Sequence, residues 1–354
     1  MQLLSGVVKF CTQRRCAEPR EVVLHPCVRK LEQTQMARKK VIFTSLLIFP
    51  SLVMFGLFIH MQDIDLGYFC LSCSGSYFHY KFDYNNKVFL KLPEVDCRQT
   101  PPFLVLLITT TYSQKEARMA IRKTWGKERV IQGKRVVAYF LLGQRENESA
   151  KEKVILAQES HIYKDIIQRD FIDTYYNLTI KTLMGIQWIT HHCPQASYIM
   201  KTDSDMFVNT FYLVELLLRK NQTSNLFTGK LKLNDRPIRM PFSKWYISKR
   251  EYAMARYPPF CSGTGYVFSI DVAQKIYNVS MRMPFFKLED VYVGMCLERL
   301  KIPLQELHEH TTFFADKHPF SICAYRKIVT SHEVQPAEIG MYWEALRRSR
   351  EEPC

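Results

Sequence analysis

Short apolar runs alternate along the chain with segments of helical character. A continuous apolar run at 103–110 predicts a strand that is buried on both faces, the apolar run at 136–142 predicts a second buried strand, and 198–201, three apolar residues followed by a lysine, predicts a third strand. Four other segments predict helices: 118–125, 155–163, 178–189 and 211–220. This alternation predicts an α/β fold with a mostly parallel, Rossmann-like sheet flanked by helices. In such sheets, ligands bind beyond the carboxyl ends of the strands.

A longer apolar segment near the N-terminus predicts a membrane anchor. Val41–Ile59 contains no charged residue, and at about 1.5 Å per residue it spans roughly 28 Å, close to the thickness of bilayer hydrocarbon. A cleaved signal peptide is the alternative, but its apolar stretch is shorter and nearer the N-terminus. Basic residues 38–40 precede the segment, and none follows before Lys81. The positive-inside rule therefore predicts a lumenal position for residues 60–354.

The anchor divides the chain into four predicted parts. Residues 1–40 form a basic cytoplasmic tail, and residues 41–59 form a transmembrane signal-anchor. Residues 60–96 lack clear periodicity and are predicted to be a stem that joins the anchor to the rest of the chain. Residues 97–354 contain the alternating strands and helices and form the predicted lumenal catalytic domain.

Glycosylation sequons and cysteines agree with a lumenal domain. Four sequons follow the anchor, at Asn147, Asn177, Asn221 and Asn278. Eight cysteines also follow it, and an oxidising compartment would leave them largely paired. Cys70 and Cys73 have the spacing of a zinc or redox motif, but no second CxxC and no close histidine follow, so a disulfide in the stem or lipidation near the membrane is favoured. The chain is thus predicted to be a single-pass membrane protein with a lumenal C-terminal domain.

The net charge of +15 suits an anionic partner. Residues 1–40 account for much of it, with nine basic and three acidic residues. The rest of the chain is only mildly basic. A nucleic-acid partner is therefore not expected, whereas a phosphorylated substrate is compatible with this charge.

Two carboxylates follow the third predicted strand directly. Asp203 and Asp205 lie between apolar residues 198–200 and 206–208, where ionised carboxylates need a partner. A solvated turn would explain them, and so would a shared divalent cation, because Mg²⁺ and Mn²⁺ prefer oxygen ligands. The spacing alone leaves both interpretations open.

Four segments together resemble the β-1,3-galactosyltransferase and β-1,3-N-acetylglucosaminyltransferase family. The resemblance covers about 97–354 in family order and rests on RMAIRKTWG at 118–126, KTDSDMFVN at 201–209, YPPFCSGTGYVFS at 257–269 and KLEDVYVGMCLERL at 287–300. Ser204 stands where the family often has a third acid. The resemblance implies a GT-A fold, UDP-galactose as donor, Mn²⁺ as cofactor and inversion at the anomeric carbon.

The resemblance also assigns roles to the acidic residues. It implies that Asp290 deprotonates the acceptor hydroxyl and that Glu289 contacts acceptor or donor hydroxyls. These two adjacent acids open a predicted helix over 290–300, so capping and helix-dipole compensation are the alternative. His332 resembles a family histidine that joins Asp203 and Asp205 at the metal.

Other motif positions resemble residues near the donor. Arg118 and Arg122 are four residues apart on one helix face and resemble positions near the nucleotide, although an ion-paired or surface role is equally open. Gly263 and Gly265 are expected to let the backbone approach the donor sugar. Trp245 offers an aromatic face to a sugar, or is a core residue.

The resemblance predicts an inverting transfer of galactose to the 3-hydroxyl of a terminal β-linked N-acetylglucosamine or N-acetylgalactosamine. The acceptor glycan would be carried on a glycoprotein or a glycolipid. A β-1,3-N-acetylglucosaminyltransferase with the same residues is the nearest alternative. A catalytically silent, lectin-like membrane protein belongs to a different class, and the presence of all three aspartates, Asp203, Asp205 and Asp290, disfavours it.

Overall fold

A computed structural model describes residues 88–94, 97, 99–349 and 353–354. The predicted tail, the predicted anchor at Val41–Ile59 and most of the predicted stem lie outside these residues. Among the residues that are described, no helix has both the length and the apolar character needed to cross a membrane.

The described strands are numbered in chain order. They are β1 (Phe89–Lys91), β2 (Leu104–Thr109), β3 (Arg129–Ile131), β4 (Lys134–Gln144), β5 (Ile166–Ile172), β6 (Tyr198–Asp203), β7 (Phe207–Val208), β8 (Phe227–Lys232), β9 (Phe260–Ser269) and β10 (Thr330–Ser331). The helices are α1 (Lys115–Lys123), α2 (Ala150–Tyr163), α3 (Leu178–His192), α4 (Thr210–Lys220), α5 (Ile270–Ser280), α6 (Glu289–Leu300), α7 (Ile322–Tyr325) and α8 (Pro336–Arg348).

The main sheet is mixed, in the strand order β1-β5-β4-β2-β6-β9-β8, with β3 paired to β4. Its centre, β5-β4-β2-β6, is parallel. The outer pairings of β1 with β5, β6 with β9 and β8 with β9 are antiparallel. The prediction of a mostly parallel sheet is therefore wrong outside the centre, because β8 and β9 pair as antiparallel neighbours and add to the edge of β6.

Helices cover both faces of the sheet, as predicted. All six residues of β2 are buried, and alternate side chains enter two different apolar clusters. Val105 and Leu107 pack in one cluster with α3, α5 and α6, whereas Leu106 and Ile108 pack in the other with α1, α4 and α8. This burial explains why β2 is a continuous apolar run instead of an alternating one.

The structure shifts several predicted boundaries. The first helix begins at Lys115, ahead of the predicted position 118. Strand β1 falls inside the predicted stem and pairs with β5, so the sheet begins before residue 97. Such a short edge strand has no apolar run to mark it.

Two disulfides tie the described chain together. One joins Cys97, ahead of β2, to Cys193, which follows α3; the other joins Cys323 to Cys354. Cys261 and Cys296 are buried and unpaired. The predicted pairing of the cysteines thus holds for four of the described ones, whereas Cys70 and Cys73 lie outside the described residues.

Candidate active site

The carboxyl end of β6 places Asp203 beside the end of β2. Parallel pairing sets Thr109 opposite Asp203, and the Thr109 hydroxyl donates a hydrogen bond to Asp203 Oδ1. The same oxygen accepts a hydrogen bond from Lys201 Nζ at 2.7 Å. Asp203 therefore has a positive partner within its own strand, which explains how a carboxylate is accommodated at this position.

Lys201 joins three elements although its side chain is only 2% exposed. In addition to its bond to Asp203 on β6, the Lys201 ammonium donates a hydrogen bond to the Gly263 carbonyl of β9 at 2.5 Å. It also lies 3.7 Å from Glu289 Oε2 at the start of α6. Burial alone would lower the pKa of Lys201, but the charges of Asp203 and Glu289 outweigh it and raise that pKa. Lys201 is therefore a buried cation at the centre of the acidic residues.

The first two residues of α6 differ in their surroundings. Glu289 is buried and accepts a hydrogen bond from the Tyr266 hydroxyl. Burial raises the pKa of Glu289 to about 7, against the opposing charge of Lys201 and with support from the charge of Asp290. Glu289 is thus enclosed within the protein and already bonded to protein groups.

Asp290 is half-buried and more accessible than Glu289. Its Oδ2 accepts a hydrogen bond from the Gly263 backbone N–H at 3.2 Å, and its Oδ1 accepts one from the Val291 N–H at 2.9 Å. Burial raises the pKa of Asp290, while these two backbone donors oppose the rise. Asp290 combines an anchored geometry with access, as a general base requires.

Gly263 and Gly265 allow close packing at this end of β9. A Cβ atom on Gly263 would lie 3.1 Å from Glu289 Oε2 and 3.4 Å from Asp290 Cβ. One on Gly265 would lie 3.3 Å from Met200 Cε. In the structure these glycines let β9 approach α6 and β6, and their predicted approach to a donor sugar stays a prediction.

Asp205 and His332 form a second charged pair. His332 Nε2 lies 3.3 Å from Asp205 Oδ2, and His332 Nδ1 lies 3.0 Å from the Ala315 carbonyl oxygen. Burial opposes ionisation of both side chains. The hydrogen bond and the opposite charges of the pair outweigh burial, so the pKa of Asp205 is lowered and that of His332 is raised. The Val334 N–H bonds the Asp205 carbonyl at 2.9 Å and holds the two segments together.

The predicted metal set is brought together only in part. Within the described part of the chain, no group of three or more His, Cys, Asp or Glu residues has an arrangement that could hold a metal ion. Asp205 and His332 face each other, whereas Asp203 is bonded to Lys201 and Thr109. The donor chemistry nevertheless fits a divalent cation, because His332 Nδ1 bonds the Ala315 carbonyl, as the second nitrogen of a metal-binding histidine commonly does, and Nε2 is then the nitrogen that would bind a cation beside the Asp205 carboxylate.

Arg118 and Arg122 lie in a buried ion-pair network. The Arg118 guanidinium, 1% exposed, forms two hydrogen bonds to Glu159, at 2.7 and 2.9 Å. Arg122 likewise forms a bidentate pair with Asp165, and it donates a further hydrogen bond to Glu159 at 2.8 Å. The structure thus shows the ion-paired arrangement, and a contact of either arginine with a nucleotide stays a prediction.

Two aromatic side chains, Tyr175 and Trp245, lie close to Lys244. Trp245 is half exposed, so it is not a core residue, and Lys244 Nζ lies 4.5 Å from the centre of its ring. Burial and the charge of Asp290 raise the pKa of Tyr175. Lys244 Nζ also lies 5.8 Å from the Tyr175 ring centre. Trp245 and Tyr175 therefore lie on either side of one lysine, and the charge of Asp290 acts on Tyr175.

Sequence reasoning missed the roles of Lys201, Tyr266 and Tyr175. Lys201 did carry a signal, since a lysine within a buried strand and directly before two acids needs an anionic partner. Tyr266 and Tyr175 occur in tyrosine-containing segments without distinctive spacing, and only the tertiary fold brings them to the acids.

The predicted glycosylation sites differ in accessibility. Asn147, Asn221 and Asn278 are exposed. Asn177 is partly buried, and its Nδ2 donates a hydrogen bond to the Ile172 carbonyl at 2.7 Å. The structure therefore offers three open sites and one restricted site, and their use stays a prediction.

Comparison with known proteins identifies extensive similarity. A family model described as Galactosyltransferase matches residues 116–308. Beta-1,3-galactosyltransferase 5 of Homo sapiens is 59% identical over 277 residues, which cover 78% of this chain and 88% of that protein. The Mus musculus protein of that name is 52% identical over 299 residues, covering 84% and 96%. Beta-1,3-galactosyltransferase 2 of Homo sapiens is 44% identical over 291 residues, covering 80% and 69%.

Proposed function

The chain belongs to the galactosyltransferase family, and from that premise we propose that it transfers galactose from UDP-galactose to the 3-hydroxyl of a terminal β-linked N-acetylglucosamine or N-acetylgalactosamine. The names of its relatives support the β-1,3 linkage. The parallel centre of the sheet, with acids at its carboxyl edge, supports a GT-A-type domain.

The proposed reaction is a single displacement with inversion. The acceptor 3-hydroxyl oxygen forms a bond to the anomeric carbon of galactose, while the bond between that carbon and the UDP oxygen breaks. The electron pair of the broken bond leaves with UDP, and the hydroxyl proton passes to the Asp290 carboxylate. The observation that carries this proposal is the placement of Asp290, which is only half-buried and is anchored through Oδ2 to the Gly263 N–H at 3.2 Å.

Lys201 and Glu289 act by positioning in this proposal. Lys201 holds the Gly263 carbonyl, and the N–H of the same glycine holds Asp290. The lysine therefore connects Asp203 on the proposed donor side with the base on the acceptor side. Glu289 stays bonded to Tyr266 and balances the charge of Lys201.

A divalent cation such as Mn²⁺, when bound, supplies positive charge that stabilises the departing diphosphate. Asp205 and His332 would hold it, with Asp203 completing the set. Calorimetric titration of the protein with MnCl₂ tests this assignment without relying on turnover. We expect Asp205→Asn to lose binding, whereas Glu215→Gln, on the exposed face of α4, should leave it unchanged. Equal binding by the wild type and Asp205→Asn would remove Asp205 from the metal set.

The proposed location is the Golgi membrane, with a type II orientation and a lumenal catalytic domain. The support is the uncharged segment at 41–59, the basic residues that precede it and the sequons that follow it. Protein expressed in cells should lose mass on glycosidase treatment and resist protease added to intact vesicles. No change in mass, together with digestion of the C-terminus in intact vesicles, would reverse the orientation.

A donor and acceptor screen tests the reaction itself. The protein is incubated with UDP-galactose or UDP-N-acetylglucosamine and with β-linked N-acetylglucosamine or N-acetylgalactosamine acceptors. We expect galactose transfer, with a β-1,3 linkage in the product. Transfer of N-acetylglucosamine alone would instead assign the chain to the N-acetylglucosaminyltransferases, and no transfer from any donor would favour a silent, lectin-like protein.

A further inference from the structure

The two disulfides of the described chain differ in their access to solvent. Cys97 and Cys193 are 1% and 0% exposed, so the disulfide between them lies in the core. Cys323 and Cys354 are both exposed. Exposed disulfides are the more easily reduced ones. The second disulfide can therefore be opened in the folded protein while the first one stays closed.

The exposed disulfide closes the two ends of one segment. We call residues 323–354 the C-terminal segment, which contains β10, His332 and α8 and most of α7. The two cysteines are 31 residues apart. Because a crosslink restricts all of the chain between its ends, this disulfide acts on these elements together.

Secondary structure alone holds this segment only weakly in place. Helix α7 has four residues, and β10 pairs with β7 only through Thr330 with Val208 and Ser331 with Phe207. Isolated strand pairs are marginally stable in water even when they are longer. The segment therefore depends on further contacts for its position.

Some of these contacts lead from α7 to strand β7. The Tyr325 carbonyl, at the end of α7, accepts a hydrogen bond from Asn209 Nδ2 at 2.8 Å. The Asn209 backbone N–H donates to the Val329 carbonyl, also at 2.8 Å. Tyr325 is 0% exposed, and its ring centre lies 5.2 Å from that of Phe207. A displacement of α7 would therefore disturb residues 207–209.

The same segment holds His332 beside Asp205. Strand β10 directly precedes His332, and the Val334 N–H donates to the Asp205 carbonyl at 2.9 Å. His332 Nε2 lies 3.3 Å from Asp205 Oδ2. Further along, Trp343 of α8 stacks on Phe211, with 5.2 Å between the ring centres. The C-terminal segment thus lies against the chain that follows Asp205, and the disulfide joins its two ends.

We propose that the exposed disulfide, Cys323–Cys354, is a positioning element of the proposed metal site. By fixing both ends of the C-terminal segment, it holds His332 against Asp205. The inference rests on the metal set proposed above. A contribution to stability alone is the alternative, since any disulfide restricts the unfolded chain. The two explanations differ in what they predict for the folded protein at the metal residues.

Calorimetric titration of the detergent-solubilised full chain with MnCl₂ measures this difference without turnover. We expect Cys323→Ser and Cys354→Ser each to weaken Mn²⁺ binding about tenfold, as the loss of an interaction that orients a metal ligand commonly does. The matched control is Cys97→Ala, which removes the buried disulfide and should keep the wild-type affinity at a temperature where it is folded. Wild-type affinity in both serine variants would overturn the proposal, and an equal loss in Cys97→Ala would assign the effect to general destabilisation.

Reduction of the wild type tests the same disulfide without a substitution. A dithiol reductant transfers two electrons and two protons to the exposed disulfide, which becomes two thiols, while the reductant closes to a cyclic disulfide. Mass spectrometry after alkylation checks that the Cys97–Cys193 disulfide stays intact. Mn²⁺ affinity should then fall as in the serine variants and recover on reoxidation. An affinity that stays constant once the exposed disulfide is open would contradict the proposal, whether or not Cys97→Ala folds.

Hydrogen exchange separates this proposal from the metal assignment. The amides of Asn209 and Val334 bond carbonyls across the contact between residues 205–209 and the C-terminal segment. They should exchange faster in Cys323→Ser, whereas the amides of β2 should keep the wild-type rate. Unchanged exchange at both amides would exclude the positioning role. If the wild type binds no Mn²⁺, the metal assignment fails, while hydrogen exchange still decides whether the disulfide positions His332.

Discussion

Replacing Lys201 by methionine tests whether its buried charge organises the site. Methionine keeps the length and removes the ammonium, which leaves Asp203 and Glu289 without their shared cation. Lys201 is only 2% exposed, and removing one member of a buried ion pair costs about 3–5 kcal/mol. The Gly263 carbonyl loses its donor as well. In a domain of this size such a loss corresponds to a fall in Tm of roughly 10 °C.

Lys275→Met is the matched control for this substitution. Lys275 pairs with Asp271 at 2.7 Å, the same distance as in the pair of Lys201 with Asp203, but its side chain is 41% exposed. Exposed pairs contribute about 0–1 kcal/mol, so this variant should unfold near the wild type. The assay is urea denaturation of both variants beside the wild type. Similar small losses in the two variants would refute the central structural role given to Lys201.

Three further predictions concern the acid at α6, a close helix contact and a disulfide. The folded pKa of Glu289, about 7, lies above its ordinary value of 4.5, so its contribution to stability is present below 4.5 and is lost as the pH rises through 7. Urea midpoints of the wild type should therefore fall relative to Glu289→Gln between pH 5 and pH 8; parallel curves would contradict this sign. Gly294→Ala should cost about 1–3 kcal/mol by urea denaturation, because its Cβ would lie 2.6 Å from Phe260 Cβ, whereas Gly340→Ala, with nothing within 4 Å, should be neutral or stabilising. Equal effects of the two alanines would refute that packing argument. Cys97→Ala should cost about 2–5 kcal/mol by calorimetry, since Cys97 and its partner are 96 residues apart, and an unchanged transition would show that the disulfide does not stabilise the domain.

The central strands could be predicted well from the sequence, because a strand that is buried on both faces consists largely of apolar residues. β2 and β4 consist largely of continuous apolar runs and β6 begins with three apolar residues, and each strand is predicted to within a few residues. The position of Asp203 at a carboxyl end followed from the strand that precedes it. Helix α6 was also predicted to within one residue, from two acids that open an apolar segment.

The outer strands could not be predicted in the same way. β9 begins with the glycine-containing residues 260–265, because its early part approaches α6 and its later part is core. No local pattern reveals that β9 adds to β6 in the antiparallel direction. Strand order depends on long-range pairing, and the alternation of elements does not encode it.

The contacts between side chains in the site could not be predicted from the sequence either. Helical spacing correctly put Arg118 and Arg122 on one face, but Glu159 on α2 and Asp165 just before β5 meet them only in the folded chain. From the sequence alone, the two acids that open α6 could either cap the helix or take part in catalysis. The structure shows that Asp290 bonds a backbone N–H of β9 in addition to its own helix, which capping alone does not require.

The most direct test of the proposed mechanism compares donor binding with turnover in Asp290→Asn. Asparagine keeps the size of the side chain and an oxygen for the Gly263 N–H, so folding and UDP-galactose binding should stay near those of the wild type. Loss of the base should lower turnover by about 10²- to 10⁴-fold, which is roughly 3–5 kcal/mol in the barrier. Unchanged binding with this fall in rate is the predicted result. Turnover within a few-fold of the wild type, in folded protein, would show that Asp290 is not the base.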